Sequence, residues 1–384
     1  MSGPEFSPRP HGMRRGAALT LVFGVVLATA AATNCLPQDE TSAPPPLSAR
    51  AAAATVDREV VARAAAEAAA EGKSGTEAAE EVVSRSGDRW GAVYDKQEYE
   101  EFRKALDGEY TGVGLGTRRA GGRVEIAGVQ RDSPAERAGI RVGDRLLSID
   151  GKEAARRPVT EVVALLRGGS GTEVVLELER DGRRWSETLT RALLTTETVT
   201  VEHLADGAVL IRISSFTTGS GERVRRAVRN APAGAGVLLD LRGNEGGLVS
   251  EAVTAASAFL DGGLVATYDV RGRQRALHAE QGGDTDRPVV TLVDAGTMSA
   301  AELVTGALKD RGRAVTVGTR TFGKGSVQMP SRLPDGSVAE LTVGHYRTPS
   351  GHSVDGKGIT PDLVAPEGAE KRAQTVLSGL GGGS

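Results

Sequence analysis

Cysteine is nearly missing from this chain: Cys35 is the single one in 384 residues, which excludes an intrachain disulfide framework. Histidine is sparse as well. The five present are scattered, with no CxxC or Cys/His cluster, so neither a metal centre nor any other cofactor is expected. Aromatic residues make up 3% of the chain, so a core has to be built from Val, Leu, Ile and Ala. A net charge of −3 leaves no basic surplus for a nucleic-acid surface. What is present is ordinary for a folded protein, 39% apolar and 25% charged, over a length that suits two or three domains.

Long uncharged runs are confined to the start. Met13-Arg14-Arg15 is followed by an uncharged stretch from Gly16 to Asn34 that ends in small residues, Ala28-Thr29-Ala30-Ala31-Ala32. A basic start, an apolar middle and small residues before a cut form an export signal. A stretch of this length also suits an uncleaved membrane anchor. Residues 1–34 are therefore expected to direct the chain out of the cytoplasm, either membrane-anchored or secreted. Cys35 follows Thr-Asn, which is a poor lipid-attachment context. Residues 35–54 read as a Pro/Ser/Ala linker stiffened by Pro44-Pro45-Pro46. Three helical patterns then fill residues 55–107. A solvated cap and a docking or dimerisation arm, the latter implying a homo-oligomer, both fit them.

Residues 108–192 carry a β-rich pattern. Arg123 to Val129 alternates with period two, as a half-buried strand does. Ser133 can cap a short helix whose first position is Pro134, and Gly139 suits its left-handed exit. Val142-Gly143-Asp144 leads into Leu146 to Ile149 and the Asp150-Gly151 turn. The series Ser-Pro-Ala, Ala-Gly-Ile, Gly-Asp and Ile-Asp-Gly resembles a PDZ domain. That resemblance implies a groove between a strand and a helix that adds an extended peptide as a further strand. It also implies a glycine-rich loop, Gly112-Val113-Gly114-Leu115, whose N–H groups take a terminal carboxylate.

From 193 to 366, apolar strands alternate with helices. Val209–Ile213, 236–242, 288–294 and 314–318 read as strands. Residues 221–230, 250–260 and 300–310 read as helices. This pattern argues an α/β layer on a largely parallel sheet, where ligands gather at the carboxyl ends of strands. Two loops lie at such ends: Gly243–Gly247 and the turn holding Ser299.

Ser299 stands where a strand becomes a helix, and a serine hydroxyl needs a base to act as a nucleophile. With Glu302 three residues on, it could equally be a simple capping-box N-cap. Lys324, between Gly323 and Gly325, could supply the base if burial lowers its pKa. Gln328, four positions on, is expected to orient that lysine through a neutral amide. For an oxyanion, the N–H groups of Ala300, Gly246 and Gly247 are the candidate donors. Residues 367–384 are expected to form a C-terminal tail, with its end, Leu380 to Ser384, flexible.

Asp240 to Leu248, Thr297 to Glu302, Gly323-Lys324-Gly325 with Gln328, and Gly356-Lys357-Gly358 through Asp362 occur in an order that resembles the carboxy-terminal processing (tail-specific) peptidases. With the PDZ-like module upstream, the resemblance spans about 90–366. It implies a ClpP/crotonase-like α/β catalytic domain with an inserted or preceding PDZ domain and an N-terminal helical region. It also implies an exported serine endopeptidase with Ser299, Lys324 and Gln328 as its catalytic group, acting on proteins with apolar free C-termini. Met298 departs from the family's usual alanine there. Two other readings compete: an inactive PDZ adaptor, and a Ser-His-Asp hydrolase using His278, His345 or His352.

Overall fold

Buried strands of branched aliphatic residues set the architecture, as the scarcity of aromatics requires. The computed structural model describes residues 57–270 and 273–381. The expected export segment and linker lie outside these residues. The described residues fall into two compact units, Val113–Arg191 and residues 57–112 with 192–381. The smaller unit is therefore inserted in the chain of the larger. Strands Glu109–Gly112 and Ala192–Thr195, on either side of the insertion, pair antiparallel within the larger unit.

The larger unit is built on a six-stranded sheet ordered Val199–His203, Val209–Ile213, Val237–Asp240, Val289–Val293, Val315–Gly318, Leu363–Val364. All neighbours run parallel except the first pair. Its central strands, Val237–Asp240 and Val289–Val293, are buried throughout because both faces are covered. Val237 and Leu239 join one core beneath helices Ser220–Asn230, Val249–Ala256 and Ala300–Asp310. Leu238 and Val290 join another beneath helix Ala369–Gly381.

That last helix occupies most of the expected C-terminal tail; of the end expected to be flexible, Leu380 and Gly381 lie in the helix and residues 382–384 lie outside the described residues. Ala373 and Leu377, one helical turn apart, are buried against the sheet.

A second, antiparallel sheet consists of Ala92–Tyr94, Val338–Arg347, Leu264–Val270 and Arg273–His278, with Ser326–Arg332 also paired to Val338–Arg347. Helices Arg58–Ala70 and Gly75–Arg85 pack on it through Val61, Ala65, Ala79 and Val83. Helix Ala300–Asp310 is buried from Ala300 through Leu308. Its core partners include both Leu239 of the parallel sheet and Val265 and Tyr346 of the antiparallel one. A helix buried over this length is held rigidly between the two sheets.

The smaller unit is a sheet ordered Leu115–Ala120, Arg123–Val129, Arg145–Ile149, Glu173–Arg180, Arg183–Thr190. Helix Val159–Leu166 packs on its core through Val162 and Leu166. Strand Leu115–Ala120 is at the sheet's edge, so its outer hydrogen-bonding groups have no strand partner.

Candidate active site

Strand Val289–Val293 ends at a loop in which the Thr297 hydroxyl donates to the Leu241 carbonyl at 2.9 Å and the Met298 N–H donates to the Asn244 carbonyl at 2.8 Å. The loop of Ser299 is thereby stitched to the glycine loop. Ser299 itself has φ +55° and ψ −118°, a strained backbone for a residue with a Cβ. Its surroundings have the outline of a capping box, but only one of the two bonds forms. The Glu302 carboxylate accepts the Ser299 N–H at 3.0 Å. The Glu302 N–H goes to the Ser299 carbonyl at 2.9 Å, and the Ser299 hydroxyl makes no cap hydrogen bond. The hydroxyl is thus not used up in capping. The same carbonyl accepts the Tyr346 hydroxyl at 3.0 Å; burial pushes this phenol well above its ordinary pKa, so it stays a donor.

Glu302 is wholly buried and takes four donors. Oε1 accepts the Thr321 hydroxyl at 2.5 Å and the Gly323 N–H at 2.7 Å. Oε2 accepts the Ser299 N–H at 3.0 Å and the Lys324 N–H at 2.9 Å. One oxygen thus brings the two amide nitrogens to within 5.9 Å of each other. Burial pushes the carboxyl pKa up, opposed by these hydrogen bonds. All four partners are donors, so the ionised form suits the site.

Lys324 makes no hydrogen bond with Ser299. Its ammonium lies over the Trp90 ring, 4.7 Å from the centroid. Burial lowers its pKa, while the charges of Glu340, Glu245 and Asp88 act to raise it. Burial in turn raises the carboxyls of Glu340 and Glu245, with Lys324 opposing. The lysine therefore faces an acidic surrounding rather than the neutral one expected.

Gln328 also departs from expectation. Its amide donates to the Ser326 hydroxyl at 2.8 Å and the Thr342 hydroxyl at 3.2 Å, and not to Lys324. A break in the strand register between Val327 and Gln328 goes with this turn of the side chain.

Among the proposed oxyanion donors, Gly246 is a correction. Its N–H is taken by the Asn244 side chain at 2.8 Å. What its lack of a Cβ provides is proximity, since a Cβ there would meet that of Ser299 at 2.9 Å. Among the described residues, the N–H groups of Gly247 and Ala300 have no protein partner, the latter because it is the first residue of its helix. Gly247, at φ +126°, could not carry a Cβ without striking the Phe216 carbonyl.

In the smaller unit, Gly114 has φ +82° and a Cβ there would collide with Ser133. Val113 is buried, and its carbonyl accepts the Ala135 N–H at 3.0 Å. Leu115 begins the edge strand beside helix Val159–Leu166. Gly112 is not part of this loop, because it pairs with Ala192 in the larger unit.

Among the described residues, no hydrogen bond joins a histidine to Ser299. His345 faces Asp355 at 3.7 Å, His352 meets the Gly358 carbonyl at 3.2 Å, and His278 ends an exposed strand. Sequence reasoning missed Trp90 and Tyr346 and saw Glu302 only as a cap. The Ser-x-x-Glu spacing was the one available signal for Glu302.

Residues 208–365 match the profile of peptidase family S41, and residues 125–180 that of a PDZ domain. The chain is 34% identical over 301 residues to the carboxyl-terminal-processing protease of Synechocystis sp., a match covering 76% of this chain and 70% of that protein. It is 32% identical over 289 residues to the carboxy-terminal processing protease CtpA of Bacillus subtilis, covering 74% and 62% respectively. Among solved structures, a photosystem II D1 C-terminal processing protease aligns with a TM-score of 0.51 at 29% identity, covering 80% of this chain and 86% of that one. Across the curated relatives compared, the matched part spans between 58% and 70% of their length.

Proposed function

The chain belongs to peptidase family S41, and on that premise we propose that it is an exported serine endopeptidase that cleaves protein substrates captured by their carboxyl tails. The observation that carries the reading is the Glu302 carboxylate oxygen shared by the Ser299 and Lys324 amides, at 3.0 and 2.9 Å. It fixes the backbones of nucleophile and base side by side, although their side chains are not bonded in this state.

In the proposed reaction the neutral Lys324 amine takes the Ser299 proton as Oγ attacks the scissile carbonyl. Desolvation makes the amine form accessible at a lower pH than for an ordinary lysine. The oxyanion is met by the free N–H groups of Ala300 and Gly247, held by the buried helix and the glycine loop. The lysine then returns the proton to the leaving amine, and water releases the acyl group by the reverse assistance. Gln328 acts at a distance, by holding Ser326 and Thr342 beside the base. The edge strand Leu115–Ala120, with the Val113-Gly114-Leu115 turn, takes the extended substrate tail and its carboxylate.

Ser299→Ala and Lys324→Met are each expected to abolish cleavage of a peptide ending in an apolar free carboxyl group. Full activity in both would rule the dyad out, and with it the peptidase reading of this site. Export is tested by sequencing the mature N-terminus of the protein recovered outside the cytoplasm.

A further inference from the structure

The turn Ser86–Gly91 lies between helix Gly75–Arg85 and strand Ala92–Tyr94, far from Ser299 and Lys324 in sequence. Strand Val338–Arg347 explains why it stays near them. One edge of that strand is covered by Ala92–Tyr94 only at Val338–Glu340 and by Leu264–Val270 only at Tyr346 and Arg347. Between these pairings the ladder is open, and the Asp88 carboxylate fills the gap. It accepts the Thr342 N–H at 2.8 Å and the Thr342 hydroxyl at 2.7 Å, and on its own side the N–H groups of Trp90 at 3.1 Å and Gly91 at 2.9 Å. The turn is thus bolted to the strand by a side chain standing in for a missing β partner.

This anchoring sets the Trp90 ring against the base. Lys324 Nζ is 4.7 Å from the ring centroid, and Phe322 meets the ring edge-on with centroids 5.9 Å apart. The Arg89 guanidinium lies 4.8 Å from the same ring. We propose that Trp90 is a positioning residue for the reaction: its indole is the wall that holds Lys324 and shields its amine from water. The proposal rests on the Ser299–Lys324 reading and adds to it a contribution from outside the α/β layer.

The wall acts in two opposed ways. Removing water disfavours the ammonium, while the π face favours it. The charges facing Lys324 are the carboxylates of Glu340, Glu245 and Asp88, all of which favour the ammonium, and the Arg89 guanidinium lies against the same indole. Burial is the largest influence and points towards the neutral amine. Truncating Trp90 should therefore make the lysine harder to deprotonate. An aliphatic side chain of similar bulk keeps the wall without the π face, and should make it no harder.

The test is the pH dependence of kcat/KM for the full chain on an internally quenched peptide with an apolar free C-terminus. Wild type, Trp90→Ala, Trp90→Leu and Lys324→Met are compared, and thermal unfolding checks that each is folded. The expected result is an acid limb at higher pH in Trp90→Ala, with a rate at neutral pH lower by on the order of tenfold. In Trp90→Leu the limb is expected at or below the wild-type position. If Trp90→Ala does not fold, the position of the Trp90→Leu limb decides alone. Acid limbs unmoved in both variants, or moved upward in both, overturn the proposal whatever the loss of rate. Cleavage by Lys324→Met would sink the dyad and this proposal together, whereas an inactive Lys324→Met with unmoved Trp90 profiles sinks only the proposal.

Discussion

Replacing Glu302 tests how much of the site depends on a single buried carboxylate. It accepts two donors on each oxygen, and none of the four partners is solvent-exposed in its bond to it. A glutamine has one acceptor and one donor end. Its amide nitrogen is expected to turn towards Thr321, whose hydroxyl can reverse and accept it while keeping the Ile359 N–H bond at 2.7 Å. One buried N–H, that of Gly323, then loses its partner, at a cost of about 1–3 kcal/mol. In that arrangement the Ser299 and Lys324 amides keep their shared oxygen, so Glu302→Gln should remain active with a lowered unfolding midpoint. Glu302→Ala frees all four donors, a loss of about 3–5 kcal/mol even after water enters. It also unpins the dyad, for which a loss in kcat of about a hundredfold is expected from displacement by an ångström or so. The assay pairs urea unfolding with peptide cleavage on folded protein. A folded Glu302→Ala enzyme with kcat within about threefold of wild type would refute the pinning argument.

Other substitutions and substrates probe separate parts of the structure. Gln328→Ala should lower kcat by no more than about tenfold, because its amide bonds Ser326 and Thr342 rather than the base; a loss as deep as that of Lys324→Met would show direct contact in the reacting state. Leu377→Ala should destabilise the larger unit by about 2–4 kcal/mol in chemical unfolding, and a negligible change would mean that the last helix does not belong to the core. A substrate amidated at its C-terminus should be cleaved with a raised KM, whereas equal KM for acid and amide would remove the terminal carboxylate from recognition by the Val113–Leu115 turn.

The parallel sheet was legible because strands covered on both faces, such as Val289–Val293 and Val237–Asp240, read as largely apolar runs followed by glycine-containing loops. The proposed nucleophile and base, Ser299 and Lys324, were picked out by their flanking residues. The rest of the site depends on what the fold brings together. Trp90 lies against Lys324 in a turn that Asp88 and the pairing of Ala92–Tyr94 both tie to a strand much later in the chain. Glu302 looked like a local cap, and three of its four donors, Thr321, Gly323 and Lys324, come from another segment. The Gly246 N–H was assigned to the oxyanion by position, yet Asn244, two residues before it, claims it. The proposed oxyanion donors therefore narrow to Gly247 and Ala300.

The central claim is that Ser299 carries the acyl group and Lys324 activates it. Rapid acid quench of a cleavage reaction, followed by peptide mass mapping, addresses it directly. The predicted result is a substrate acyl fragment on the peptide containing Ser299 in wild type, and none above background in Lys324→Met. An acyl adduct on another residue, or equally fast acylation of Ser299 in Lys324→Met, would contradict the account.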